Sequence, residues 1–288
     1  MEIQPVTAII GAEIVGADLE NLTDAQFATI EQAFTDHLVV FFRDQPPLSS
    51  RAHIAFGKRF GKPHIHPIAP GPEGHPEIMI IQADANSRYA DGNNWHTDVS
   101  CDIEPPLGSC LQLRVLPPVG GDTLFANMYA AYETLSPMMQ DFLADKTAMH
   151  ESEHVYRGRY SERGVDDTGK VYPSAEHPVV RTHPRSGRQA LYVNPSFTTK
   201  INGLTKAESK AVLQLLYVHQ QRPEFQVRFQ WSENAIAFWD NRCTQHFAIW
   251  DYWPDERMGH RVTVKGERPF HEDRDSVQSD LRVSRRHD

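Results

Sequence analysis

Cysteine is scarce in this chain of 288 residues: Cys101, Cys110 and Cys243 make an odd set with no CxxC spacing. Such a set excludes a disulfide framework and a cysteine-built zinc knuckle. No stretch approaches the roughly 18 apolar residues of a membrane span. The first twenty residues, MEIQPVTAIIGAEIVGADLE, have no basic leading region and no continuous apolar core, so no secretory signal is expected there. Positive charge is also short. Lys and Arg number 29 against 38 Asp and Glu, for a formal net charge of −9, which leaves no basic field for nucleic acid or an anionic membrane. A local arginine cluster facing a small anion remains compatible with that balance. Internal repeats, low-complexity tracts and flexible linkers are missing too. These absences predict a cytoplasmic chain with no nucleic-acid or membrane partner, organised as one domain over residues 1–270 with a charged tail over 271–288. Association of identical chains is a further expectation.

What is present is an ordinary globular composition, 40% hydrophobic and 23% charged, with a surplus of 15 histidines that favours metal or acid–base chemistry. Near the N-terminus, Thr23 and Gln26 form a capping box ahead of Phe27, Ile30, Phe34 and Leu38 on one helical face. A second helix is expected from Ser50 to Phe60, closed by Gly61, and a third from Thr205 to Gln221 with Thr205 and Glu208 as its box. Between them run short segments rich in β formers: VVFF, EIMIIQ, SCLQLRV, TLFANM, PVVRTH, AIAFWD and RVTV. The run FQVRFQW alternates cleanly, with Phe225, Val227, Phe229 and Trp231 on one face. Many short strands with a few inserted helices predict a mainly β fold (α+β), a sandwich or jelly roll. The polar segment Glu151 to Glu176 reads as a long mobile loop.

The run NWHTDVS, Asn94 to Ser100, reads as a short buried strand and places His96 and Asp98 two positions apart between apolar neighbours. On a strand end, residues i and i+2 share a face, so the two side chains could converge on one ion. The best-placed third ligand is His246 in DNRCTQHFAIW. Two histidines and one carboxylate make the facial triad of non-haem iron(II) oxygenases, with three positions left open; the same set can also hold zinc in a hydrolase. Two further features bear on the choice. GGDT, Gly120 to Thr123, permits close backbone approach and offers a hydroxyl. Arg257, His260 and Arg261 follow His246 by eleven to fifteen residues. If HFAIW and RVTV are neighbouring strands, these guanidiniums return to the metal and could each hold an anionic group.

Taken in order, GAEIVGADL, VVFFRDQ, FGKPHIHP, NWHTDV, LPPVGGDTLFANM, HPVVRTHP, ALYVNPSFTTKI, PEFQVRFQW, WDNRCTQH and HRVTVKGERPF make a chain that resembles the TauD/TfdA family of iron(II)- and 2-oxoglutarate-dependent dioxygenases, and within it the branch acting on taurine. The resemblance implies a double-stranded β-helix, or jelly roll. It implies His96, Asp98 and His246 as iron ligands and Thr123 and Arg257 as holders of the distal carboxylate of 2-oxoglutarate. It further implies Arg261 and His66 on the substrate's anionic group, with the Val99 backbone, Phe197 and Tyr156 completing that pocket. The implied cofactors are Fe(II), 2-oxoglutarate as co-substrate and O2. The implied reaction hydroxylates a small anionic substrate, a sulfonate or related organic anion, releases succinate and CO2, and ends in collapse of the product to a carbonyl compound. Ala69, Gly92 and Tyr156 stand where the taurine branch carries a tyrosine, an asparagine and a phenylalanine, so the expected substrate need not be taurine. A zinc-dependent hydrolase and a non-catalytic anion-binding jelly roll are the alternatives.

Overall fold

The computed structural model describes residues 1–69, 71–161 and 164–272. The charged tail expected over 271–288 therefore lies, from residue 273 onward, outside the described residues.

Eight strands form the larger sheet. From one edge it runs through Glu2–Pro5, Ala12–Val15, Val39–Phe42, Ile236–Asp240, Pro106–Val115, Arg257–Lys265 and Pro63–His64, with Ile78–Ala83 also pairing on Arg257–Lys265. Its two central strands, VVFF and IAFWD, are buried at every position, which is why they read as continuous apolar runs rather than alternating ones. Helices cover one face. The helix Asp24–His37 starts at the expected capping box, Thr23 and Gln26 each satisfying the other's backbone N–H, and buries Ile30, Ala33 and Phe34 against the sheet. Phe34 stacks on Phe238 at 4.4 Å. The helix Ser50–Phe60 adds Phe56 to the same layer.

The other face meets a three-stranded sheet ordered Gln226–Phe229, Thr123–Asn127 and Thr244–Ala248. Alternation in FQVRFQW works as expected: Phe225, Val227, Phe229 and Trp231 are buried while Arg228 and Gln230 are exposed. Phe41 of the larger sheet stacks on Phe229 of the smaller one at 4.0 Å, nearly parallel, so the two sheets share one core. This is the jelly-roll type of architecture expected from the strand pattern. The helix Lys206–Gln220 also begins at its expected box, Thr205 with Glu208. Among the described residues no helix is long and apolar enough to cross a membrane.

Three expectations are corrected. Asn94 to Ser100 is not a strand: His96 makes one isolated bridge with His246, and a turn follows. The reason is competition for the backbone, since the Asp98 N–H bonds to the Asn241 side chain instead of to a ladder, and the Thr97 hydroxyl bonds to the Asn241 carbonyl beside it. Val99 then takes φ +46°, a left-handed conformation costly for a β-branched residue. Thr244–Ala248 and Arg257–Lys265 are not neighbours either; they lie in different sheets, joined by a connection that is exposed over most of residues 251–256. Finally, Glu151 to Glu176 is not an irregular loop throughout. It carries the short helix Glu153–Tyr156, buries Tyr156 and Tyr160, and ends in the strand Ser174–Pro178 paired with Thr147–Glu151. Aromatic burial holds this polar segment on the core.

Phe41→Ala should cost about 3–5 kcal/mol of stability, as for other buried aromatic truncations, measured by urea unfolding. A loss below about 1 kcal/mol would show that the two sheets are not tied together there.

Candidate active site

All ten candidate residues line one cavity of about 410 Å³ between the two sheets. His96 and His246 reach it as the two partners of the isolated bridge, exchanging backbone hydrogen bonds of 3.1 and 2.8 Å. Asp98 enters from the turn. The ligand atoms of these three residues all lie within 4.8 Å of one another. Asp98 Oδ1 is 3.8 Å from His96 Nε2 and 3.9 Å from His246 Nε2.

The protonation states suit a cation. His96 Nδ1 lies 2.8 Å from the Asn94 carbonyl, which only accepts, so Nδ1 carries the hydrogen and Nε2 keeps its lone pair for a metal. Burial pulls both imidazoles below the usual histidine range, leaving them neutral. Burial alone would raise the Asp98 carboxyl, but the Arg261 guanidinium and the Ser109 hydroxyl hold it well below the carboxylate range. Two neutral nitrogens and one carboxylate oxygen on one side of a cavity are the donor set that non-haem iron accepts.

The two arginines come from one strand. Arg257 and Arg261, four apart on Arg257–Lys265, both face the cavity, whereas His260 lies on the opposite face and does not line it. Arg257 is buried, donates from Nε to the Gly121 carbonyl at 3.0 Å and from Nη2 to Thr123 Oγ1 at 3.3 Å, and has no carboxylate partner among the described residues. Burial lowers its pKa to about 10. A desolvated cation with only neutral partners is costly, and an anionic ligand would offset that cost. Thr123 Oγ1 already accepts from Trp231 Nε1 at 3.0 Å, which leaves its own hydrogen to donate. The paired glycines are needed here: Gly121 has φ +74°, and a Cβ on it would sit 3.1 Å from Arg257 Cδ.

Arg261 Nη1 donates to Asp98 Oδ1 at 2.6 Å, and Nη2 lies 3.1 Å from Met79 Sδ. His66 Nδ1 accepts backbone N–H groups from Ile68 at 3.2 Å and Ala69 at 2.8 Å, so its hydrogen is on Nε2. Burial and the nearby Arg261 charge bring its pKa down to about 3, so the ring is a neutral donor. Tyr156 packs edge-on against His66 at 5.2 Å and against Phe197 at 5.8 Å. Gly92 lines the cavity with φ +81°, and a Cβ there would meet His96 Cε1 at 3.2 Å. Ala69 does not line the cavity; the space expected from its small side chain is filled by packing on the core.

A second cluster, His183, Asp240 and Cys243, also has metal-ligand spacing. It has no lone pair to spare. His183 Nδ1 accepts from the backbone of Arg185 and Ser186, so Nε2 donates to Asp240 Oδ2 at 3.1 Å. Arg242 clamps both Asp240 oxygens at 2.8 and 2.7 Å, and burial pushes the Cys243 thiol well up. The cluster is a buried ion pair that stiffens the turn leading to His246. Sequence reading passed over it, and over Asn241 and Ser109. The available signal was DNR, a polar run that closes the apolar stretch IAFW.

A family model described as "Taurine catabolism dioxygenase TauD, TfdA family" matches residues 2–263. The chain belongs to the TauD/TfdA family. It is 37% identical over 278 residues to an alpha-ketoglutarate-dependent sulfate ester dioxygenase of Pseudomonas putida, covering 93% of this chain and 91% of that one. It is 34% identical to an alkylsulfatase of Acinetobacter baylyi, with 93% and 86% covered. The crystal structure of a taurine dioxygenase from Burkholderia xenovorans superposes with a TM-score of 0.81 at 37% identity, covering 94% of this chain and 91% of that one. With TauD/TfdA membership the expected enzyme class is borne out, a 2-oxoglutarate-dependent dioxygenase, and the zinc-hydrolase and non-catalytic readings fall.

Arg242→Ala should destabilise the protein by about 3–5 kcal/mol at neutral pH by stranding Asp240. Burial raises the Asp240 carboxyl, but Arg242 and His183 outweigh it, so its folded pKa lies below the ordinary value. The stabilisation is thus present above about pH 4 and lost as the pH falls through the folded pKa. Urea unfolding of both proteins at neutral and acid pH reads this out; equal stability at neutral pH would refute the clamp.

Proposed function

We propose that this TauD/TfdA enzyme hydroxylates the carbon next to the sulfur-bearing group of an organic sulfate ester or sulfonate, with His96, Asp98 and His246 as Fe(II) ligands. Bound iron, 2-oxoglutarate and O2 would supply the oxidant that removes a hydrogen from that carbon and returns hydroxyl, with succinate and CO2 as co-products. The chain's own residues bind and orient. Arg257 holds the distal carboxylate of 2-oxoglutarate, with the Thr123 hydroxyl as a second donor. Arg261 and His66 Nε2–H hold the substrate's anionic group, and Val99, Tyr156 and Phe197 wall its organic part. A hydroxyl placed beside an ester oxygen gives an adduct that collapses to a carbonyl compound and free sulfate.

One observation carries the reading: a buried guanidinium with no carboxylate partner among the described residues and a second guanidinium paired to Asp98 line the same cavity as the triad. Because Arg261 touches Asp98, an anion on Arg261 sits beside the metal ligands, which is the positioning the reaction needs. The sulfate ester choice is supported by the names of the two curated relatives and by Gly92, which offers no side chain to a charged substrate tail.

Asp98→Ala should abolish iron-dependent succinate formation while leaving the circular dichroism spectrum unchanged; retained turnover would remove Asp98 from the ligand set. Arg257→Ala should raise the 2-oxoglutarate KM, and Arg261→Ala the substrate KM, each by about 10–100-fold for a lost charge-assisted bond. Interchanged effects would reverse the two roles. A panel of an alkyl sulfate, an alkanesulfonate and taurine, followed by succinate, sulfate and sulfite release, addresses the substrate. Turnover is expected with the alkyl sulfate, and efficient turnover with taurine alone would sink the sulfate ester reading.

A further inference from the structure

Two groups that can only donate meet on the side chain of Asn241. Trp239 Nε1 lies 2.9 Å from Asn241 Oδ1, and the backbone N–H of Asp98 lies 3.3 Å from the same atom. Neither can accept, so that atom is the amide oxygen and the orientation of the amide follows from chemistry. Its NH2 end then faces Ser109 Oγ at 3.0 Å and donates to it. Ser109 has a single hydroxyl hydrogen. Asp98 Oδ2, an acceptor only, is 2.7 Å away, and Thr263 Oγ1, at 3.4 Å, is able to donate. The Ser109 hydrogen therefore points at Asp98 Oδ2. Asn241, Ser109 and Asp98 are all buried, where such bonds are stronger than in water.

Ser109 thus anchors the far oxygen of the carboxylate, while Oδ1, which also accepts from Arg261 Nη1 at 2.6 Å, is the oxygen that faces Nε2 of both His96 and His246. We propose that Asn241 and Ser109 form a positioning relay that commits Asp98 to bind metal through Oδ1 alone. The relay rests on the assignment of His96, Asp98 and His246 as ligands. Its consequence is coordinative: a carboxylate bound through both oxygens would take one more position, whereas a one-oxygen ligand leaves three positions open. Asn241 also ties the two ligand-bearing segments together. It receives the Asp98 N–H, its carbonyl accepts from Thr97 Oγ1 at 2.7 Å, and it stands five residues before His246.

Titration of the protein with Mn(II), followed by calorimetry and by the infrared difference spectrum of the carboxylates, tests the relay without turnover. Ser109→Ala should loosen Mn(II) binding by about 10–100-fold and narrow the splitting of the carboxylate stretches as the second oxygen joins the metal. Ser109→Thr, which restores the hydroxyl, should return both readouts close to wild type. If Ser109→Ala does not fold, Ser109→Cys, with its weak donor, carries the same expectation of loosened binding. A Ser109 variant without the hydroxyl that binds Mn(II) as tightly as wild type, with unchanged stretches, would overturn the relay, as would failure of folded Ser109→Thr to restore them. Wild-type protein that binds no Mn(II) would overturn the ligand assignment itself and the relay with it.

Discussion

The carboxylate of Asp98 is the point on which the rest of the cavity depends. It is 3% exposed, and taking a negative charge out of water is costly unless partners surround it. Arg261 meets one oxygen and Ser109 the other. Two imidazoles stand just under 4 Å from the same oxygen as the arginine. Each of these partners belongs to a different segment, so satisfying one charge draws together the turn after His96, the strand Pro106–Val115, the strand Thr244–Ala248 and the strand Arg257–Lys265. The chemistry of the site is therefore assembled from several segments at once, on a frame that the aromatic core between the two sheets holds in place.

Buried charge elsewhere in the molecule follows the same rule with a different outcome. Asp240 is as deeply buried as Asp98, but Arg242 and His183 use both its oxygens and leave nothing for a ligand. Arg257 is the opposite case, a buried cation that among the described residues meets a carbonyl, a hydroxyl and the Trp231 ring but no carboxylate. A fully paired charge is architecture; an incompletely paired one facing a cavity is a binding site. That distinction separates two clusters whose ligand spacing alone is indistinguishable.

Much of the fold was legible from short-range physics. The two capping boxes at Thr23 and Thr205 start their helices where the residues predict, because a cap is satisfied within four residues. The alternation in FQVRFQW reads as one buried face because a strand repeats every two residues. The expected strand at Asn94 to Ser100 did not form, because Asn241, distant in sequence, competes for the backbone there. The segment Glu151 to Glu176 looked mobile from its polarity, yet Tyr156 and Tyr160 anchor it in the aromatic wall of the cavity.

By itself, then, the sequence determined the element types, the family resemblance and the identity of the residues able to carry the chemistry, since all of these depend on residue type and local spacing. Only the tertiary structure decided that His246 pairs with His96 rather than lying beside the arginine strand, that Arg261 meets Asp98, and that Asn241 and Ser109 direct the carboxylate. Those outcomes depend on which donor finds which acceptor across more than a hundred residues of chain. No local pattern encodes such a pairing, because its free energy arises only once folding has removed the competing water.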